Sequence, residues 1–86
     1  MPEISRFYGI VIKMYFADHA PPHFHAEYAE YEARIAIGGL GLLSGRLPPR
    51  AMGLVAEWAT LHQADLHSTW ERARRFEPLG RVEPLP

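Results

Sequence analysis

Residues 23–37 read His23-Phe24-His25-Ala26-Glu27-Tyr28-Ala29-Glu30-Tyr31-Glu32-Ala33-Arg34-Ile35-Ala36-Ile37. Apolar and polar side chains alternate on both sides of Ala29-Glu30, which is the period of a strand with one covered face. A two-residue turn at Ala29-Glu30 sets Tyr28 opposite Tyr31, Ala26 opposite Ala33 and Phe24 opposite Ile35. Phe24, Ala26, Tyr28, Tyr31, Ala33, Ile35 and Ile37 then share one face. His23, His25, Glu27, Glu32 and Arg34 share the other. A slip of one residue would mix the two sets, so the register is strongly specified. The turn chemistry is poor, because tight hairpins prefer Gly, Asn or Asp and this pair offers none; a longer loop stays open.

On the C-terminal side, Gly38-Gly39 is a stronger turn signal. It predicts a further strand over Leu40–Ser44, with Leu40 and Leu42 opposite Ile37 and Ile35, ended by Gly45. Pro48-Pro49 then suits a helix start. From Arg50 the apolar residues recur in steps of three or four (Ala51, Leu54, Val55, Trp58, Leu61, His62, Leu66, Trp70, Ala73). One helix over 49–75 would be about 40 Å long, so a kink or a split near Gln63–Asp65 is the alternative. Phe76–Pro86 holds Pro78, Gly80, Pro84 and Pro86 and reads as an extended arm, with a short edge strand around Arg81–Glu83 as an option. On the N-terminal side, Ile10–Phe16 is β-branched and aromatic and reads as a buried strand. Pro21 and Pro22 keep residues 17–22 in a loop. The expected architecture is α+β: a four-stranded antiparallel β-meander, a long or kinked C-terminal helix packed on one face, and an extended C-terminal arm. Residues 1–86 are read as a single domain.

Composition narrows the class. Hydrophobic residues make up 48% and charged residues 22% of the 86, ordinary values for a globular chain. No apolar run approaches the ~20 residues that span a bilayer, so no membrane role is expected. The first residues lack the pattern of a secretory signal. With no cysteine there is neither a disulfide nor a thiolate metal site, which fits a cytoplasmic protein. A formal net charge of −1 gives nucleic-acid binding no help. The basic cluster Arg72, Arg74, Arg75 lies where a helix C-terminus favours positive charge anyway.

Asp18-His19-Ala20-Pro21-Pro22-His23-Phe24-His25 is the densest run of ionisable groups. His23 and His25, one residue apart on a strand, leave the same face and can share a metal through their imidazole nitrogens. His19 is the expected third ligand, with Glu27 or Asp18 as a fourth or as a supporting group. Three such ligands and an open position would suit a divalent metal such as zinc that activates water. Without metal, the same face offers His25 as a proton carrier, Arg34 as an anion holder and Glu27 as a base, the set a small hydrolase or ribonuclease would use. The plain alternative is a solvated strand face with weak cross-strand pairs. His62, on the apolar stripe, reads as a boundary histidine rather than a ligand.

The stretch His23-Phe24-His25-Ala26-Glu27-Tyr28 resembles domain-of-unknown-function family 4160. Similarity extends to Pro2-Glu3-Ile4-Ser5-Arg6-Phe7, to Gly45-Arg46-Leu47-Pro48-Pro49-Arg50 and to Glu57-Trp58 with Leu61-His62. Ala29-Glu30 and Gly39-Leu40-Gly41 depart from that family's pattern. The resemblance implies a bacterial protein with a small partner protein encoded nearby, in a protein-interaction or regulatory module of toxin–antitoxin type; a homo-oligomer is a further option. It carries over no catalytic role.

Overall fold

The computed structural model describes residues 2–86. The chain is α+β, and its sheet is an antiparallel meander in the order β1-β2-β3-β4-β5. The strands are β1 (Glu3–Phe7), β2 (Ile10–Lys13), β3 (His23–Tyr28), β4 (Tyr31–Ala36) and β5 (Leu42–Gly45), followed by helices α1 (Pro49–Leu61) and α2 (Gln63–Arg74). The β3–β4 register is the expected one: Tyr28 faces Tyr31, Ala26 faces Ala33, His25 faces Arg34 and Phe24 faces Ile35. Ala29 takes φ 52°, so the tight turn forms despite lacking glycine or asparagine. Packing of the two strands outweighs a local conformational cost of about 1–2 kcal/mol.

The sheet has five strands, not four. β1 hides behind polar Ser5 and Arg6, and its hairpin turn is Tyr8-Gly9, both left-handed at φ 51° and 80°. Phe7 thereby faces Ile10. β2 ends at Lys13, short of the expected Phe16. After β4 the chain turns through Gly38-Gly39 as expected, but not as a two-residue hairpin. It makes a wider loop with Leu40 at φ 58°, so β5 starts at Leu42, and a register shift falls between Arg34 and Ile35. Leu42 still faces Ile35, yet it is exposed at the sheet edge rather than covered. Gly45 is required: it sits at φ 75°, and a Cβ there would collide with the Glu32 carbonyl oxygen.

The helical stretch breaks at His62, whose φ of −121° leaves the helix while its N–H bonds to the Trp58 and Ala59 carbonyls. A straight 27-residue rod of about 40 Å would overhang a molecule 33 Å in its longest dimension. The bend is held by the Gln63 side-chain amide, which donates to the carbonyls of Ile37 (2.7 Å) and Gly38 (2.9 Å). α1 lays Ala51, Val55, Trp58 and Ala59 on the core, where Trp58 packs against Phe7 and edge-on to Phe24. Both tryptophans are buried. The arm forms no strand but buries Leu79, Val82 and Leu85. Its Val82 N–H donates to Ile4 O at 2.7 Å, and Glu83 O accepts the Trp58 indole N–H at 2.7 Å. The outer edge of β1 is therefore covered, whereas β5 has no neighbour on its outer side.

Candidate metal centre

β3 begins directly after Ala20-Pro21-Pro22, where the Ala20–Pro21 peptide is cis. Alternation along β3 puts His23 and His25 on one side of the sheet, as the pattern requires. Their surroundings differ. α2 folds round the strand end, so the His23 ring lies 5.3 Å from the Trp70 ring and is 2% exposed. His25 lies further along and meets the Tyr15 ring edge-on at 4.5 Å. Ala17, left-handed at φ 53°, turns the chain so that Asp18 points back at both histidines. Asp18 Oδ2 lies 3.0 Å from His23 Nε2 and 3.2 Å from His25 Nε2. Its Oδ1 accepts the His19 backbone N–H at 2.8 Å.

Asp18, His23 and His25 thus offer three ligand atoms within 4.8 Å of one another. Ligands 2.0–2.1 Å from a common ion are about 2.8–3.4 Å apart, from the edge of an octahedron to that of a tetrahedron. The observed 3.0 and 3.2 Å contacts have that length. Hydrogen counting points the same way. His23 Nδ1 is 2.7 Å from Pro21 O. A carbonyl can only accept, so Nδ1 carries the hydrogen, and in the neutral ring Nε2 presents a lone pair. That lone pair faces a carboxylate oxygen, an arrangement that needs a proton or a cation between them. His25 Nδ1 is buried without a hydrogen-bond partner, its nearest acid being Glu32 Oε2 at 3.7 Å. With Nε2 on a metal, His25 would turn an Nδ1–H toward that carboxylate. Metal-binding histidines commonly have a backbone carbonyl or a carboxylate behind them.

Electrostatics match a carboxylate kept ionised. Burial pushes the Asp18 carboxyl up, but the His25 hydrogen bond, the His19 amide and the charges of the two imidazoles outweigh it and hold the group below its ordinary range. Burial raises Tyr15, so its phenol stays neutral as a wall of the site.

The other expected site residues lie apart. His19 contributes its backbone amide to Asp18, and its exposed ring is not part of the cluster. Glu27 pairs with Lys13 at 3.1 Å, and that hydrogen bond raises the lysine further. Arg34 faces His25 across the strand pair and gives its Nε–H to Ser44 Oγ at 2.8 Å. His62 sits at the α1–α2 junction, 3.4 Å from Asp65. The sequence did not place Tyr15 or Trp70 at this site: Tyr15 meets His25 only because the 14–22 loop folds back, and Trp70 arrives from α2, distant in the chain.

The fold and cluster define a class: a small α+β protein with two histidines and one aspartate gathered at the mouth of an antiparallel sheet. The chain belongs to the family described as a domain of unknown function, DUF4160, whose model matches residues 9–71. That span contains the entire cluster. No curated protein and no solved structure matches the chain. No described helix is long and apolar enough to cross a membrane.

Proposed function

We propose that this protein is a small metal-dependent hydrolase in which Asp18, His23 and His25 hold one divalent transition-metal ion. The reading rests on the convergence of Asp18 Oδ2, His23 Nε2 and His25 Nε2, with the far nitrogen of His23 bonded to a carbonyl and that of His25 turned toward a carboxylate. Two histidines and one carboxylate would leave coordination positions open, and an ion held there would supply Lewis acidity that brings water's pKa toward ~7. Hydrolysis needs no redox partner. Water oxygen bonds to the electrophilic centre, and the leaving group departs with a proton. Arg34, beside His25 with its Nη groups unbonded, is the residue for an anionic substrate. Glu32 Oε2, 3.7 Å from His25 Nδ1, is placed to accept an Nδ1–H from a metal-bound ring, whereas Glu27 is engaged by Lys13.

Two measurements on untagged protein test this. Zinc titrated into chelator-treated protein should bind one ion per chain, and at about 100 Kd the added ~2.7 kcal/mol should raise Tm by roughly 10–20 °C. Asp18→Asn and His25→Ala should lose that response. Metal-loaded protein should hydrolyse a bis-aryl phosphate, and His25→Ala should not. Less than about one-tenth metal per chain with no Tm shift would leave a hydrogen-bonded latch in its place.

A second reading, the interaction or regulatory module of toxin–antitoxin type, is supported by β5. Residues 38–45 carry no charge, and Leu42 and Leu43 are exposed on an unpaired edge. Such an edge accepts a partner's strand. Copurification of a neighbouring gene's product that survives His25→Ala but not Leu43→Lys would favour it over the hydrolase.

A further inference from the structure

Two shallow clefts border the Asp18–His23–His25 cluster. One, about 390 Å³, has Asp18, Ala20, Pro22, Trp70, Glu71 and Arg74 in its walls. The other, about 240 Å³, has His25, Glu32, Arg34 and Ser44. Since Asp18 and His25 are 3.2 Å apart, a ligand filling both clefts passes over the cluster with an arginine available in each.

Beyond the first cleft lies an exposed aromatic pair. Phe16, two residues before Asp18, and Phe76, two residues after Arg74, stack at 6.1 Å with their planes 7° apart. They are 40% and 70% exposed. Phe76 occupies the position just past the end of α2, at φ 58°, where helices usually place glycine because a side chain is strained there. The left-handed turn itself closes the helix, since the Phe76 N–H donates to Ala73 O and the Glu77 N–H to Arg72 O, but that role calls for no aromatic side chain. Arg74 and exposed Arg75 flank it. The Arg74–Glu71 pair is solvated on both sides, so its exchange for a phosphate costs little.

We infer that the substrate of the site is single-stranded nucleic acid, its bases stacked on Phe16 and Phe76 and its phosphates held by Arg74 and Arg34 on either side of the metal. The substrate role rests on the hydrolase reading; the binding does not. A strand suits the surface better than a duplex, because stacking on a side chain requires an unpaired base face. With a net charge of −1 the whole-molecule field adds nothing, so stacking leads and the salt dependence is small. Two or three neutralised phosphates give a slope of log K against log salt of about −1.4 to −2.

The test is fluorescence anisotropy of a labelled 12-nucleotide single strand with full-length protein in chelator, so that no cleavage intervenes. Saturable binding with that slope is expected, and the matching duplex should bind more weakly. Phe76→Gly relieves the left-handed strain, so its Tm should hold or rise while affinity falls about 5- to 100-fold. Arg74→Gln should reduce the slope by about 0.7. No binding at 100 μM protein, equal binding of duplex, or wild-type affinity in Phe76→Gly overturns the inference. So does a Phe76→Gly defect confined to capture of a folded partner protein. Zinc titration of the same samples separates the two readings. Metal bound without nucleic acid ends this inference alone. Nucleic acid bound without metal ends the hydrolase and the substrate role, and leaves the binding.

Discussion

Asp18 shows how one side chain can link a loop, a strand and a helix. Its carboxylate receives both imidazoles and the His19 amide, and His23 in turn rests on Trp70 of α2. The carboxyl is held below its ordinary range in the folded chain. A depressed carboxyl stabilises the fold at every pH above its unfolded value of about 3.9, and that contribution disappears as pH falls through the lower folded value. In chelator, the stability gap between the native chain and Asp18→Asn should therefore be present at about pH 5. It should close below about pH 4. Urea midpoints across that range measure it, and a gap independent of pH would show that the carboxylate charge is not what the loop uses.

At the level of elements, β5 depends on a backbone approach that only one residue type allows. Gly45 faces Ala33, and the next residue, Arg46, donates its N–H to Glu32 O at 2.9 Å. Adding a methyl at Gly45 meets both a left-handed φ and that same carbonyl. Gly45→Ala should cost about 2 kcal/mol or more, read as a lower Tm. It should also loosen the β4–β5 pair first, read as faster amide exchange at Arg34 and Ser44. Because Arg34 is held by Ser44, the same change should weaken the second cleft without touching Asp18 or His23.

For the whole molecule, stability depends on the arm closing over β1 and α1. A domain of this size has a margin of only about 5 kcal/mol. Leu79, Val82 and Leu85 are buried, each contributing about 1.5–3 kcal/mol. The arm also satisfies the Trp58 indole N–H and one Arg72 N–H. Truncation after Pro78 should leave a chain without a cooperative thermal transition at 37 °C, measured by circular dichroism. A truncated chain that melts within about 5 °C of the intact one would show that β1 and the helices suffice. The arm lies outside the span matched by the family model, although it covers core residues within that span.

The β3–β4 register, the two faces of that hairpin, the helical stretch and the break-up of the C-terminus all followed from the sequence by itself. Each is set by alternation, by 3.6-residue spacing or by proline, and those are local properties of a covalent chain. Tertiary structure decided the rest. β1 exists because Ile4 and Phe7 find the core and the arm, not because Ser5-Arg6 favours a strand. The helix divides at His62 because the sheet is too short for one rod. Asp18, rather than the ring of His19, joins His23 and His25 because α2 and the proline loop turn the chain back on itself there. Two neighbouring residues in a loop have no periodicity to tell them apart, and only packing against distant segments selects which one points inward.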